Sequence, residues 1–134
     1  MADRLLCLDV GEKRIGVAVA DLGVKIAIPL TTIEVDGTEI EQILRLYGRE
    51  NARTLVVGYP RNQQGETTTQ TVFVEEFVKP LEGYTNIEFQ DESLTSVQAE
   101  QRLKSRGQNY TKGDIDSEAA TIILQDYMET KYGY

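Results

Sequence analysis

The chain predicts an α/β fold: a mixed five-stranded sheet in the order βββαβαβαα, with helices on both faces. Its first three strands form an antiparallel meander, and strands one, four and five run parallel. Three observations carry this. Residues 5–20 hold two apolar runs around a tight polar bend, which is a hairpin pattern. Two further apolar runs each follow a stretch of helical spacing, as parallel crossovers require. The last part of the chain carries one long apolar stripe at three-to-four spacing.

Taken in order, residues 5–10 (LLCLDV) are apolar on both faces of a period-two pattern, as in a central strand covered on both sides. Residues 14–20 alternate Ile15, Val17 and Val19 with Gly16, Ala18 and Ala20, giving one branched face and one small enough for close packing. Residues 25–33 form a third strand whose Pro29 lacks an amide donor, which confines it to an edge or a bulge. A helix over residues 38–51 presents Ile40, Ile43, Leu44 and Tyr47 to one sheet face. Residues 53–59 (RTLVVGY) make the fourth strand, and residues 60–65 a loop.

Thr67, Thr68 or Thr69 caps the next helix, which holds Val72, Phe73, Phe77 and Val78 and stops before Pro80. Residues 86–90 form a short fifth strand. Thr95 and Gln98 have capping-box spacing at the head of a helix over residues 95–106, ended by Gly107. The last helix covers residues 115–131, with Asp116 at the head of its apolar stripe and Asp114 as a candidate N-cap.

At 134 residues the chain is expected to fold as one domain, 1–134, with a substantial core. Its single cysteine, Cys7, has no partner in the chain and needs no oxidising compartment. No apolar stretch approaches the roughly 20 residues that span a bilayer, and the N-terminus lacks the form of a signal peptide. The expected setting is cytoplasmic, without membrane contact. With 14 Lys plus Arg against 22 Asp plus Glu, the net charge of −8 disfavours indiscriminate attraction to nucleic acid. Any such binding must be local or metal-assisted. The absence of histidine removes Ser-His-Asp and Cys-His catalysis and imidazole zinc sites. Chemistry therefore rests on carboxylates.

Those carboxylates fall at one place. Asp9 interrupts an apolar strand near its C-terminal end, where an unpaired buried acid would cost several kcal/mol. Asp91 and Glu92 follow the fifth strand, and Asp116 heads the last helix. Parallel strands share a C-terminal edge, where open α/β sheets bind ligands. Like charges gathered there are tolerable mainly around a divalent cation, and oxygen donors alone favour Mg²⁺ or Mn²⁺. Carboxylate-held ions can activate water and stabilise an in-line phosphoryl displacement, a nuclease arrangement that needs no other base. Each acid also has a plainer reading. Asp9 suits a hairpin turn, Asp91 and Glu92 a solvated strand end, and Asp116 a helix terminus. It is their common edge that favours a site.

Four blocks in sequence carry a resemblance: residues 8–18 (LDVGEKRIGVA), 56–60 (VVGYP) with Gly65 downstream, 91–96 (DESLTS) and 112–120 (KGDIDSEAA). Together they resemble the bacterial YqgF (RuvX) family across nearly the whole chain. The resemblance implies an RNase H-like fold, kinship with Holliday-junction resolvases, and a nuclease role at the 5′ end of pre-16S ribosomal RNA. It places the catalytic acids at Asp9, Glu92 and Asp116, leaving the middle position open between Asp91 and Glu92. Asp91 is kept as a further metal ligand. Tyr59 stands where Leu usually precedes the proline, and Ser93 where the family usually has Arg, a position that would supply a phosphate contact or a carboxylate partner; the acids are intact.

Arg102, Lys104, Arg106 and Lys112 flank only one acid, Glu100, making residues 99–113 locally basic and the main candidate phosphate contact. Lys13 and Arg14, just past Asp9, and Arg61 are further nucleic-acid candidates. Tyr59, Arg61, Asn62 and Gln63 on the edge loop suit an unpaired base, and hence structured or single-stranded RNA or branched DNA. The protein is expected to act as a monomer or weak homodimer. Two other classes compete. The Asp9-x-Gly11 hairpin also resembles the first phosphate loop of actin-like ATPases and sugar kinases, but those close a cleft between two such domains. A non-catalytic RNA- or ribosome-binding module is the other alternative, and divalent binding without nucleotide dependence separates the nuclease from both.

Overall fold

The computed structural model of the protein describes residues 3–92 and 95–133. Strands β1 (Arg4–Val10), β2 (Arg14–Asp21), β3 (Ile26–Glu34), β4 (Ala52–Pro60) and β5 (Ile87–Glu92) form one sheet in the spatial order β3-β2-β1-β4-β5. The β1–β2 and β2–β3 pairs are antiparallel, and the β1–β4 and β4–β5 pairs parallel, so the predicted meander and parallel set share β1 at the centre. Among the described residues four α-helices complete it, α1 (Glu39–Arg49), α2 (Thr69–Val78), α3 (Thr95–Ser105) and α4 (Lys112–Tyr132), with a short 3-10 turn at Lys79–Leu81 after α2.

Strand alternation sorts the core onto two faces. Leu6 and Leu8 of β1, Val17 of β2 and Leu55 and Val57 of β4 pack with Ile43 and Leu46 of α1 and Val74 and Val78 of α2. On the other face Leu5, Cys7, Ala18, Ala20 and Val56 meet Ala120, Ile123, Leu124 and Tyr127 of α4. The small face of β2 lets α4 lie almost on the strand. A Cβ added to Gly16 would sit 1.9 Å from the carbonyl oxygen of Asp116, so only glycine admits the helix here. Helix α3 packs outside α4, through Ala99 against Ala119 and Ile122.

Two helix starts differ from expectation. Helix α4 begins at Lys112, a turn earlier than predicted, because Thr111 and Asp114 cap each other reciprocally: the Asp114 N–H donates to Thr111 Oγ1 at 3.1 Å and the Thr111 N–H to Asp114 Oδ2 at 2.9 Å. Asp114 is thus the inner partner of the box and not the N-cap. Thr95 is the first residue of α3, and the capping position before it lies outside the described residues. Helix α2 starts as expected, capped by Thr68 in a reciprocal pair with Thr71. Strand β5 runs two residues further than predicted, to Glu92, because Tyr59 and Pro60 of β4 continue to pair with Asp91 and Glu92.

Strand β3 lies at one side of the sheet. There the Ala27 N–H donates to Gln125 Oε1 at 3.0 Å, and Gln125 Nε2 donates to the Lys25 carbonyl at 3.4 Å. A side chain of α4 thereby fills one backbone position of the outer strand and one of the residue just before it. Among the described residues no helix is long and apolar enough to cross a membrane.

Candidate active site

Asp9 shares the face of Leu5 and Cys7, beneath α4, at the C-terminal end of the central strand. Glu92 ends β5 on that same face, one strand beyond β4. Asp116 descends from the start of α4, brought onto the sheet by the close approach at Gly16. The hairpin, the second parallel crossover and the long helix thus deliver one acid each to a single spot.

The electrostatics mark the same spot. Burial, then the charges of Glu92 and Asp116, push the Asp9 carboxyl up to about 8 from an ordinary 3.8. Burial pushes Glu92 up to about 7, with Thr95 acting in the opposite direction. The neighbouring Cys7 thiol is raised by burial, with Asp9 and Glu92 adding to it. Glu92 Oε2 is buried without a hydrogen-bond partner. A Cβ at Gly58 would fall 2.6 Å from that oxygen and 2.9 Å from Ile123 Cδ1, so glycine at this point of β4 leaves the carboxylate its room.

Only Asp116 has a cation against it: Arg14 Nε donates to its Oδ2 at 2.7 Å. Among the described residues no three acids are drawn together tightly enough to hold an ion as they stand. The chemistry of the donors nonetheless fits a hard divalent cation. All are carboxylate oxygens, one is orphaned in the interior, and two have carboxyls raised first of all by burial.

A family model described as "RuvX: Holliday junction resolvase" matches residues 3–130. The chain belongs to this family. Among RuvX relatives, a protein of Chloroflexus aggregans named "Putative pre-16S rRNA nuclease" is 45% identical over 133 residues, covering 95% of this chain and 94% of its own. One of the same name from Rippkaea orientalis is 41% identical over 132 residues, covering 94% and 95%. The RuvX fold here is similar to that of Thermus thermophilus RuvC, solved in complex with Holliday junction substrate, at a TM-score of 0.57 and 14% identity over 97% of this chain and 96% of that one. This is the RNase H-like sheet that the sequence predicts.

The remaining RuvX candidates separate. Asp91 alternates to the opposite face from Glu92 and pairs with Arg61 (Nε to Oδ1, 3.4 Å) in solvent, so Glu92 and not Asp91 lies on the face of Asp9. Arg14 and Lys112 line one hollow with Asp116, and Arg61 lines another with Glu92, Thr95 and Gln98. Lys13 is exposed on the turn after Asp9. Arg102 and Arg106 do not face the acids. Both grip Glu118, a buried carboxylate of α4, at 3.3 Å and 3.1 Å, while Lys104 is exposed elsewhere on α3. The local basic excess seen in sequence is offset by an acid from the next helix. Ser93, in the position of the family's usual Arg, lies outside the described residues.

Sequence reasoning missed the Arg14–Asp116 pair, Gly58 beside Glu92, and Phe89, which stands exposed on β5. For Phe89 a signal existed: it shares the parity of Ile87 and Asp91, so it follows an inward residue out to the edge.

Proposed function

We propose that the protein is a divalent-metal-dependent nuclease that hydrolyses nucleic-acid phosphodiesters in the cytoplasm, acting on the 5′ end of pre-16S ribosomal RNA. The observation that carries this is the convergence of Asp9, Glu92 and Asp116 with one Glu92 oxygen buried and unpartnered. Relatives named for pre-16S rRNA over almost the whole chain support the substrate.

Asp9, Glu92 and Asp116 would hold Mg²⁺ or Mn²⁺; Asp91, turned away onto Arg61, would not. Such an ion, when bound, supplies a water of lowered pKa and a Lewis-acid contact to the phosphoryl oxygen. The chain's own groups do the rest. Arg14 holds Asp116 in place and, with Lys112, presents positive charge to the phosphate on one side of the acids. Arg61 does so on the other, beside Glu92. Lys13 extends the track past the hairpin. Asp9, in the middle strand, lies between these two cationic flanks.

A second reading, cleavage of branched DNA, is favoured by the family's description and by the RuvC-like fold. One experiment tests both. Purified protein is assayed on structured RNA carrying a 5′ extension, on single strands and on a four-way junction, with and without Mn²⁺. Cleavage of the RNA that needs the ion, and falls by orders of magnitude in Asp9→Asn, Glu92→Gln and Asp116→Asn, is expected. Preference for the junction would transfer the assignment to DNA. Equal rates in all three variants would overturn the carboxylate site, and no cleavage with no divalent binding would leave a binding module.

A further inference from the structure

At the same end of the sheet, two aromatic side chains on the face opposite Glu92 form a partly exposed surface. Phe89 is 43% exposed, and its ring centroid lies 5.0 Å from that of Tyr59, tilted by 56°. The Arg61 guanidinium stands 5.0 Å from the centre of the Tyr59 ring. The Tyr59 hydroxyl donates to Glu75 Oε2 at 2.9 Å, which fixes the ring. Arg61 and Asp91 border this hollow and also the neighbouring one that contains Glu92, so the two are continuous around the ends of β4 and β5.

We propose that Tyr59 and Phe89 are a stacking platform for one unpaired nucleobase of the strand whose phosphate lies at Asp9, Glu92 and Asp116. This rests on the nuclease reading and specifies its substrate: a strand that is single at the position next to the bond cut. The charge of the surface argues for a base and against a phosphate as occupant. Arg61 is its one cation, already paired with Asp91, and Glu75 stands beside Tyr59. Polyphosphate would be repelled, whereas a base offers a π-face to the rings and amino hydrogens to the carboxylates. Continuity with the acid site sets the occupant as part of the same strand and not a separate ligand.

The test uses two RNA duplexes that differ only in a short single-stranded extension, one with a 2-aminopurine in that extension and one abasic there, together with a blunt duplex. Binding is measured in EDTA, where hydrolysis is blocked, to wild type, Phe89→Ala and Tyr59→Leu. These positions are at the surface, and thermal melts check that the variants fold. Wild type should quench the 2-aminopurine emission and bind the intact extension about 5-fold or more tighter than the abasic one, the loss expected for one stacked base. Either substitution should abolish both the quenching and that difference, leaving blunt-duplex affinity and the salt dependence unchanged. Equal binding of intact and abasic extensions by wild type overturns the platform, as does a substitution that weakens the blunt duplex equally. If wild type cleaves RNA yet shows no quenching, only the platform falls; if it neither binds nor cleaves RNA, the nuclease reading falls with it.

Discussion

Arg14 Nε and Asp116 Oδ2, 102 positions apart in sequence, meet at 2.7 Å with both side chains partly shielded from solvent. The pair ties the hairpin to the start of α4 at one of the three acids proposed to hold an ion. Arginine and ion therefore compete for the same oxygen. Arg14→Gln should tighten divalent binding about 30-fold, the effect of removing the ~2 kcal/mol repulsion between a unit charge and a doubly charged ion at roughly 4 Å in a watery environment, while slowing cleavage through loss of the phosphate contact. Isothermal titration with Mn²⁺ and a single-turnover assay on the same variant check the two halves.

The raised carboxyls of Asp9 and Glu92 make the metal-free protein sensitive to alkali. In the unfolded chain these groups release their protons near their ordinary values of 3.8 and 4.5, whereas the folded state keeps them to about 8 and about 7. Between those limits the native state binds more protons than the unfolded state, so stability is greatest on the acid side and falls as pH rises toward 8. Thermal melts in EDTA from pH 5 to pH 8 should show this decline, and Asp9→Asn should flatten it. A decline of equal slope in the variant would place its source elsewhere.

Metal should reverse the ranking of those two proteins. In EDTA at pH 8 and low salt, Asp9→Asn is expected to melt at least as high as wild type, although most substitutions destabilise. With the ion at about a hundred times its dissociation constant, wild type gains about 2.7 kcal/mol and the variant, short of one ligand, gains less. Melts with and without Mg²⁺ read the change of sign directly; an equal shift in both proteins would make Asp9 a turn residue.

Glu118 offers an asymmetric test of the α3–α4 contact. Its side chain is only 3% exposed and is compensated by Arg102 and Arg106, both about half exposed. Replacing both arginines by alanine strands a buried carboxylate and should cost about 2 kcal/mol or more, while the further change Glu118→Gln should recover much of it. The salt dependence of nucleic-acid binding should move little in the double variant. A drop in salt slope by ~1–2 would return these arginines to the phosphate track.

Gly16 and Gly58 separate folding from site geometry. Gly16→Ala pushes against helix backbone and should cost about 3 kcal/mol, with loss of activity as Asp116 is displaced. Gly58→Ala meets only the ends of Glu92 and Ile123, which yield cheaply, so it should keep most of its stability and lose divalent affinity. Urea unfolding and Mn²⁺ titration on both variants check the contrast.

The sheet, and the gathering of acids at one of its edges, were legible because they rest on local pattern and on the order of the elements. Ile15, Val17 and Val19 alternating with Gly16, Ala18 and Ala20 state both the strand and the closeness of its covering helix. Asp9 is visible as a break in an apolar run. What pattern does not contain is pairing at a distance. Whether Asp91 or Glu92 faces the site depends on the register of β5 with β4, and whether Arg102 and Arg106 are free depends on where α4 places Glu118. The early start of α4 escaped for a smaller reason, since Thr111 and Asp114 form the reciprocal cap with aspartate in place of the usual Glu or Gln.

Gln125 determines on which side this sheet can grow. The Ala27 N–H and Lys25 carbonyl are the groups an incoming strand would take, and the helix's own amide already occupies both. Two residues further along, Pro29 has no N–H to offer. The first part of the meander edge is thereby blunted against templating another chain, a protection that exposed outer strands otherwise need from charge or from a covering loop. Gln125→Ala would reopen a row flanked by the exposed Ile26 and Ile28, and slow association of the folded protein at high concentration, seen by light scattering, is its expected signature. A helix that carries Asp116 near its start also covers outer-strand backbone further along, at Gln125.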